Sequence, residues 1–87
     1  MTNITTLAEI LRATAEEFLK KEGYTKTFSA EGIGSMWKKS ETVIDITVHA
    51  GHQNALMVID PYITVRVNGD PHIAHTKEEV EELLTNL

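Results

Sequence analysis

Cysteine is missing from this 87-residue chain. Its absence removes disulfides, thiol nucleophiles and cysteine-based zinc sites together. A small domain without such staples suits a reducing compartment, and the cytoplasm is the expected location. Long apolar runs are also missing. The longest, residues 55–59, is far short of the roughly 20 residues needed to span a bilayer, so no membrane partner is expected. The opening residues Met1-Thr2-Asn3-Ile4 show no basic region followed by an apolar stretch, so no secretory leader is read there.

Basic residues are scarce where they would matter for a polyanion. Residues 1–43 carry six Lys/Arg against six Glu, and residues 44–87 carry Arg66 and Lys77 against seven acids. The net charge of −5 therefore belongs to the second half. Phosphate-backbone binding draws on clustered Lys/Arg, which argues against nucleic acid. The apolar share of 41% is ordinary for a globular chain and too high for a disordered one. The length allows one domain, spanning residues 1–87.

Two helix-start patterns bracket a block whose apolar period is two. Thr6-x-x-Glu9 and Thr76-x-x-Glu79 each offer a threonine oxygen to a backbone N–H three residues on, with the glutamate reaching back to the threonine N–H. The first helix is predicted over 6–22, with Leu7, Ile10, Leu11, Thr14, Ala15, Phe18 and Leu19 as its apolar stripe. Arg12, Glu16, Glu17, Lys20 and Lys21 fall mostly on the opposite side, and Gly23 is a natural left-handed cap. In the last helix Val80, Leu83, Leu84 and Leu87 form the stripe.

Between the helices, Tyr24, Lys26, Phe28 and Ala30 alternate with Thr25, Thr27, Ser29 and Glu31, and residues 43–49 are the clearest strand, with Ile44, Ile46 and Val48 facing one way and Asp45, Thr47 and His49 the other. Ser40-Glu41 reads as a tight turn and residues 51–54 as a loop. Residues 55–59 are apolar on both parities, as in a central strand covered on both faces. Asp60-Pro61 interrupts it, because proline removes a ladder donor. Ile63, Val65 and Val67 alternate after that, and Asn68-Gly69 suits a type I′ hairpin turn. The predicted fold is α+β: an N-terminal helix, an antiparallel sheet of four to five strands and a C-terminal helix.

Four features bear on chemistry. His49-x-x-His52 and His72-x-x-His75 supply four imidazoles, enough for a tetrahedral zinc or nickel site if the chain turns to bring them together. On a straight strand, positions three apart point to opposite faces. Asp45, Thr47, His49, Tyr62, Thr64 and Arg66 would share a polar face if their strands were neighbours, a set an acid–base enzyme could use. Such a face is equally a solvated sheet surface. The connector Glu31-Gly32-Ile33-Gly34-Ser35 precedes a strand, so no helix N-terminus awaits an anion there. Trp37 beside Lys38 and Lys39 is better suited to a core or an interface than to stacking on a base.

Counting faces gives the leading expectation. If both helices cover the Leu56/Val58 side, then Ala55, Met57 and Ile59, with Tyr62 close by, form an exposed apolar patch of the kind that marks an association surface. If one helix covers each face, no such patch remains. The functional reading is a non-catalytic interaction or regulatory module. It docks by an apolar sheet face to a second copy of itself or to another protein. Glu78 and Glu82 of the acidic last helix add steering, and Trp37 is included in the interface. A histidine-based metal or ligand site is the alternative and a small enzyme the third. No cofactor is required by the leading reading.

Overall fold

A computed structural model describes residues 5–53 and 55–87, with the side chains of Thr5, Thr6, His52 and Gln53 left aside. Helix α1 (Thr5–Lys21) leads into strands β1 (Thr25–Ala30), β2 (Gly34–Lys39) and β3 (Thr42–His49). A short hairpin, β4 (His52–Gln53) with β5 (Val58–Ile59), follows, then β6 (Tyr62–Val67), β7 (Asp70–Ala74) and helix α2 (Lys77–Thr85). The main sheet is antiparallel in the order β1-β2-β3-β6-β7, and β4-β5 forms a separate two-stranded ladder. The predicted α+β architecture is observed.

Register assigns every strand residue to a side, because directly paired residues share a face. Ser29, Ser35, Ile46, Val65 and His72 form one row and Lys26, Trp37, Ile44, Val67 and Asp70 another. These rows face the helices. One core cluster joins Leu11, Ala15 and Leu19 of α1, Val80 and Leu84 of α2, and Trp37, Ile44, Ile46, Ile63, Val65 and Ala74 of the sheet. Both helices therefore lie on one face, and the opposite face is uncovered by either. Burying each of the leucine, isoleucine and valine side chains among them is worth about 1.5–3 kcal/mol.

Local signals explain the boundaries. Gly23 has φ +91°, its N–H donates to the Lys20 carbonyl at 3.1 Å, and the Tyr24 N–H donates to the Leu19 carbonyl at 2.9 Å. This is a Schellman motif, and Lys39 Nζ adds a bond to the Glu22 carbonyl at the same helix end. Asn68 (φ 51°) and Gly69 (φ 90°) form the expected hairpin turn. Asn68 Oδ1 also accepts from the Val43 N–H at 2.8 Å. At α2, Thr76 Oγ1 accepts from the Glu79 N–H at 3.1 Å. The Glu79 carboxylate reaches past Thr76 and accepts from the His75 N–H at 2.6 Å, one residue earlier than the capping pattern implies. Thr6 is already helical, so it is not the extended cap residue expected there.

Three further expectations are corrected. Residues 55–59 do not form a covered central strand: residues 55–60 are all exposed, and the chain returns through the short β5. The buried stripe of α1 is Ala8, Leu11, Arg12, Ala15 and Leu19, with Leu7 and Ile10 exposed. In β1 a bulge falls between Lys26 and Phe28, which turns Phe28 to the open face and Ser29 to the helices, breaking the simple alternation.

Gly34 is the tightest backbone position. A Cβ there would fall on the Ile46 carbonyl oxygen and within 3.1 Å of the Thr47 Cα, so β2 could not keep its register with β3. Gly34→Ala is expected to destabilise the fold by about 3 kcal/mol or more, in the range of strongly strained substitutions. Urea denaturation monitored by tryptophan fluorescence measures it.

Candidate functional site

The densest polar cluster is internal and joins α1 to the first two strands. Arg12 is only 7% exposed, and all three nitrogens of its guanidinium donate hydrogen bonds. Nε donates to Glu16 Oε2 at 3.2 Å and Nη1 to the Ala30 carbonyl at 3.3 Å. Nη2 donates to Ser29 Oγ at 3.0 Å and to the Gly34 carbonyl at 3.1 Å. Glu16 Oε2 also accepts from Ser35 Oγ at 2.6 Å, and Ser35 Oγ accepts from Trp37 Nε1 at 2.9 Å. Lys26 Nζ lies 3.8 Å from Glu16 Oε1 and 5.3 Å from the Trp37 ring centroid. Among the described residues no buried side-chain nitrogen or oxygen lacks a partner. The guanidinium faces protein groups throughout, so the cluster is a structural clamp rather than a reaction centre.

Burial alone raises the Glu16 carboxyl. The hydrogen bonds from Ser35 and Arg12, with the charges of Lys26 and Arg12, outweigh it and hold the group below its ordinary range.

The uncovered sheet face carries the second cluster. Phe28, Met36, Asp45, Arg66 and Pro71 form one cross-strand row, and Ala30, Gly34, Thr47, Thr64 and Ile73 the next. The six residues considered for acid–base chemistry do share this face. At its end the rings of His49 and Tyr62 stack at 4.3 Å with an interplanar angle of 15°, and His75 lies 5.4 Å from Tyr62 on a tilt. His49 Nε2 is 3.0 Å from Thr64 Oγ1. These contacts occupy the imidazole of His49 against a threonine and a phenol, and the ends of β3 and β6 are clasped by them.

The three histidines whose side chains are described, His49, His72 and His75, do not converge on one point. His49 lies on the open face, while His72 is paired with Val65 on the helix-facing side and contacts Asp70 at 3.3 Å. His75 Nδ1 is 3.8 Å from Glu79 Oε1, and the His52 side chain is outside the described residues. Among the described residues no group of three or more His, Asp or Glu is arranged to hold a metal ion.

The interface residues separate likewise. Trp37 is 1% exposed and lies in the core, because its row faces the helices; it is not a surface residue. Ala55, Met57 and Ile59 are exposed, but on the β4-β5 arm rather than on a broad sheet face, and Tyr62 is half-buried at the arm's root. Leu56 is 94%, Met57 52%, Val58 64% and Ile59 45% exposed. Both parities of the run face outward, which a two-stranded ladder standing off the body allows and a central strand does not. Glu78 and Glu82 are exposed on α2. Among the described residues no helix is long and apolar enough to cross a membrane.

No family model matches the chain, and no match was found among curated proteins or among solved structures.

Because the folded Glu16 carboxyl is held down, its contribution to stability is complete above the ordinary carboxylate value and is lost as pH falls through its lower folded value. Glu16→Gln is expected to lower the melting temperature at pH 7 and to narrow its deficit against the parent chain below about pH 4. Thermal melts across pH measure it; an unchanging deficit would contradict the assignment.

Proposed function

We propose that the chain is a non-catalytic protein-interaction module whose docking element is the β4-β5 arm. The observation that supports this reading is the exposure of four consecutive large apolar side chains, Leu56 through Ile59. Fully burying each would be worth about 1.5–3 kcal/mol, so the arm holds several kcal/mol that a bound surface could draw on. Scattered exposed apolar residues are normal, but a contiguous projecting group is characteristic of association surfaces. A two-stranded hairpin is also marginal by itself in water and gains from pairing or packing.

The rest of the molecule is consistent with a binding role. The Arg12 clamp is internally satisfied, and the polar groups of the open face are those of a solvated sheet. Glu78, Glu79, Glu81 and Glu82 give α2 an acidic exposed surface, which would influence encounter rate and salt dependence more than final affinity.

The arm lies outside the core cluster, so it can be altered without unfolding the body. The double substitution Leu56→Asp with Val58→Asp is expected to reduce recovery of protein partners in affinity capture from native cells by about tenfold or more, equivalent to about 1.4 kcal/mol. Its melting temperature should stay close to that of the parent chain. Equal recovery by the two forms would overturn the arm as the docking element. Charge reversal at Glu78 and Glu82 should instead alter salt dependence, shifting on-rate by a few-fold.

A further inference from the structure

The charge pattern of the arm narrows the choice of partner. The chain carries a net charge of −5, yet residues 50–59 contain no Lys, Arg, Asp or Glu. A partner selected by charge has nothing to meet on the arm. Its complement is another neutral apolar surface, and the chain itself presents one. Two copies meeting at this point bring together the one long stretch free of ionised side chains, so the repulsion between two acidic molecules is least there.

Shape points the same way. The arm is a short antiparallel ladder in which His52 pairs with Ile59 and Gln53 with Val58, separate from the five-stranded sheet. Ile33, also exposed, lies at the same end of the body, where its carbonyl accepts from the Val48 N–H at 2.7 Å. A two-fold axis through paired arms makes each apolar group the partner of its own copy, the commonest form of assembly. The arm offers about ten residues per copy against the roughly 20–30 per side of a standard stable interface, which sets the association in the weak, concentration-dependent class.

We propose that the arm docks onto a second copy of this chain, arm against arm across a two-fold axis, forming a weak homodimer. The proposal rests on the arm being the docking element and adds the identity of its partner. Sedimentation velocity from about 1 µM to about 1 mM is expected to show a reversible monomer–dimer equilibrium. Leu56→Asp with Val58→Asp should raise the dissociation constant about tenfold or more. Because the chain has no cysteine, Leu56→Cys supplies a single probe that should oxidise to a disulfide-linked dimer, whereas Glu81→Cys on exposed α2 should not.

A parent chain that stays monomeric up to about 1 mM overturns the homodimer. If capture of other proteins still depends on Leu56 and Val58 in that case, the arm remains a docking element with a different partner. If capture is also insensitive, both readings fall. A dimer that survives the double substitution, or a Leu56→Cys variant that dimerises without cross-linking, overturns the arm-to-arm arrangement.

Discussion

The buried guanidinium of Arg12 is the constraint from which the rest of the architecture follows. A charge taken out of water is costly unless it is paired and fully hydrogen-bonded. Here Glu16 supplies the pairing, while Ser29 and the Ala30 and Gly34 carbonyls accept three further hydrogen bonds. A lysine would place one compact charge there and could not span the same fork of acceptors. The acceptors come from the end of β1 and the start of β2, so satisfying Arg12 fixes where α1 lies on the sheet. Ser35 then links Glu16 to the Trp37 indole, which seats the one tryptophan under the helix.

That clamp rotates α1 relative to its apparent apolar stripe. Arg12 and Glu16 look like outward residues because composition records charge and not the partners that cancel it. Ala8 and Ala15, one turn away on either side of Arg12, are both fully buried, and their small side chains leave the space a guanidinium needs. Leu7 and Ile10 are displaced to the exposed flank as a result. The period of the sequence thus shows that a helix exists, while its rotation about its own axis is decided by hydrogen bonding across 17 to 22 positions. Caps and turns depend on neighbours in sequence, and Gly23, Asn68-Gly69 and Thr76 behave as their local chemistry dictates.

Residues 55–59 show a different limit. An apolar run on both parities is the pattern of a strand covered on both faces, yet residues 55–60 are all exposed. Whether the cover belongs to the chain itself or to another molecule leaves the same mark on the sequence. Met57 and Ile59 were legible as an apolar surface for this reason, while their place on a projecting arm was not. For Trp37, its charged neighbours leave a core position and an interface position in conflict. Alternation along β2 resolves the conflict, with Ser35 and Trp37 facing the helices and Lys38 facing the open side.

The arm is also well supported at its root. It is inserted between β3 and β6, which pair over six consecutive positions from Ile44–Val67 to His49–Tyr62. The last of these pairs stacks its rings at the point where the arm begins. Gly51 (φ +87°) lies so close to the returning chain that a Cβ would meet the Ile59 carbonyl oxygen at 2.6 Å and the Pro61 nitrogen at 2.9 Å. Glycine is therefore required where the two sides of the arm converge. A projecting segment held at its base by a proline, a stacked ring pair and a backbone contact loses less freedom on binding than an open loop of equal length. Less of its apolar burial is then offset by ordering. One-sided helix packing and the arm are thus connected. The helices concentrate the chain's own core on one face, and the central strands are left free to carry a preorganised apolar element outward.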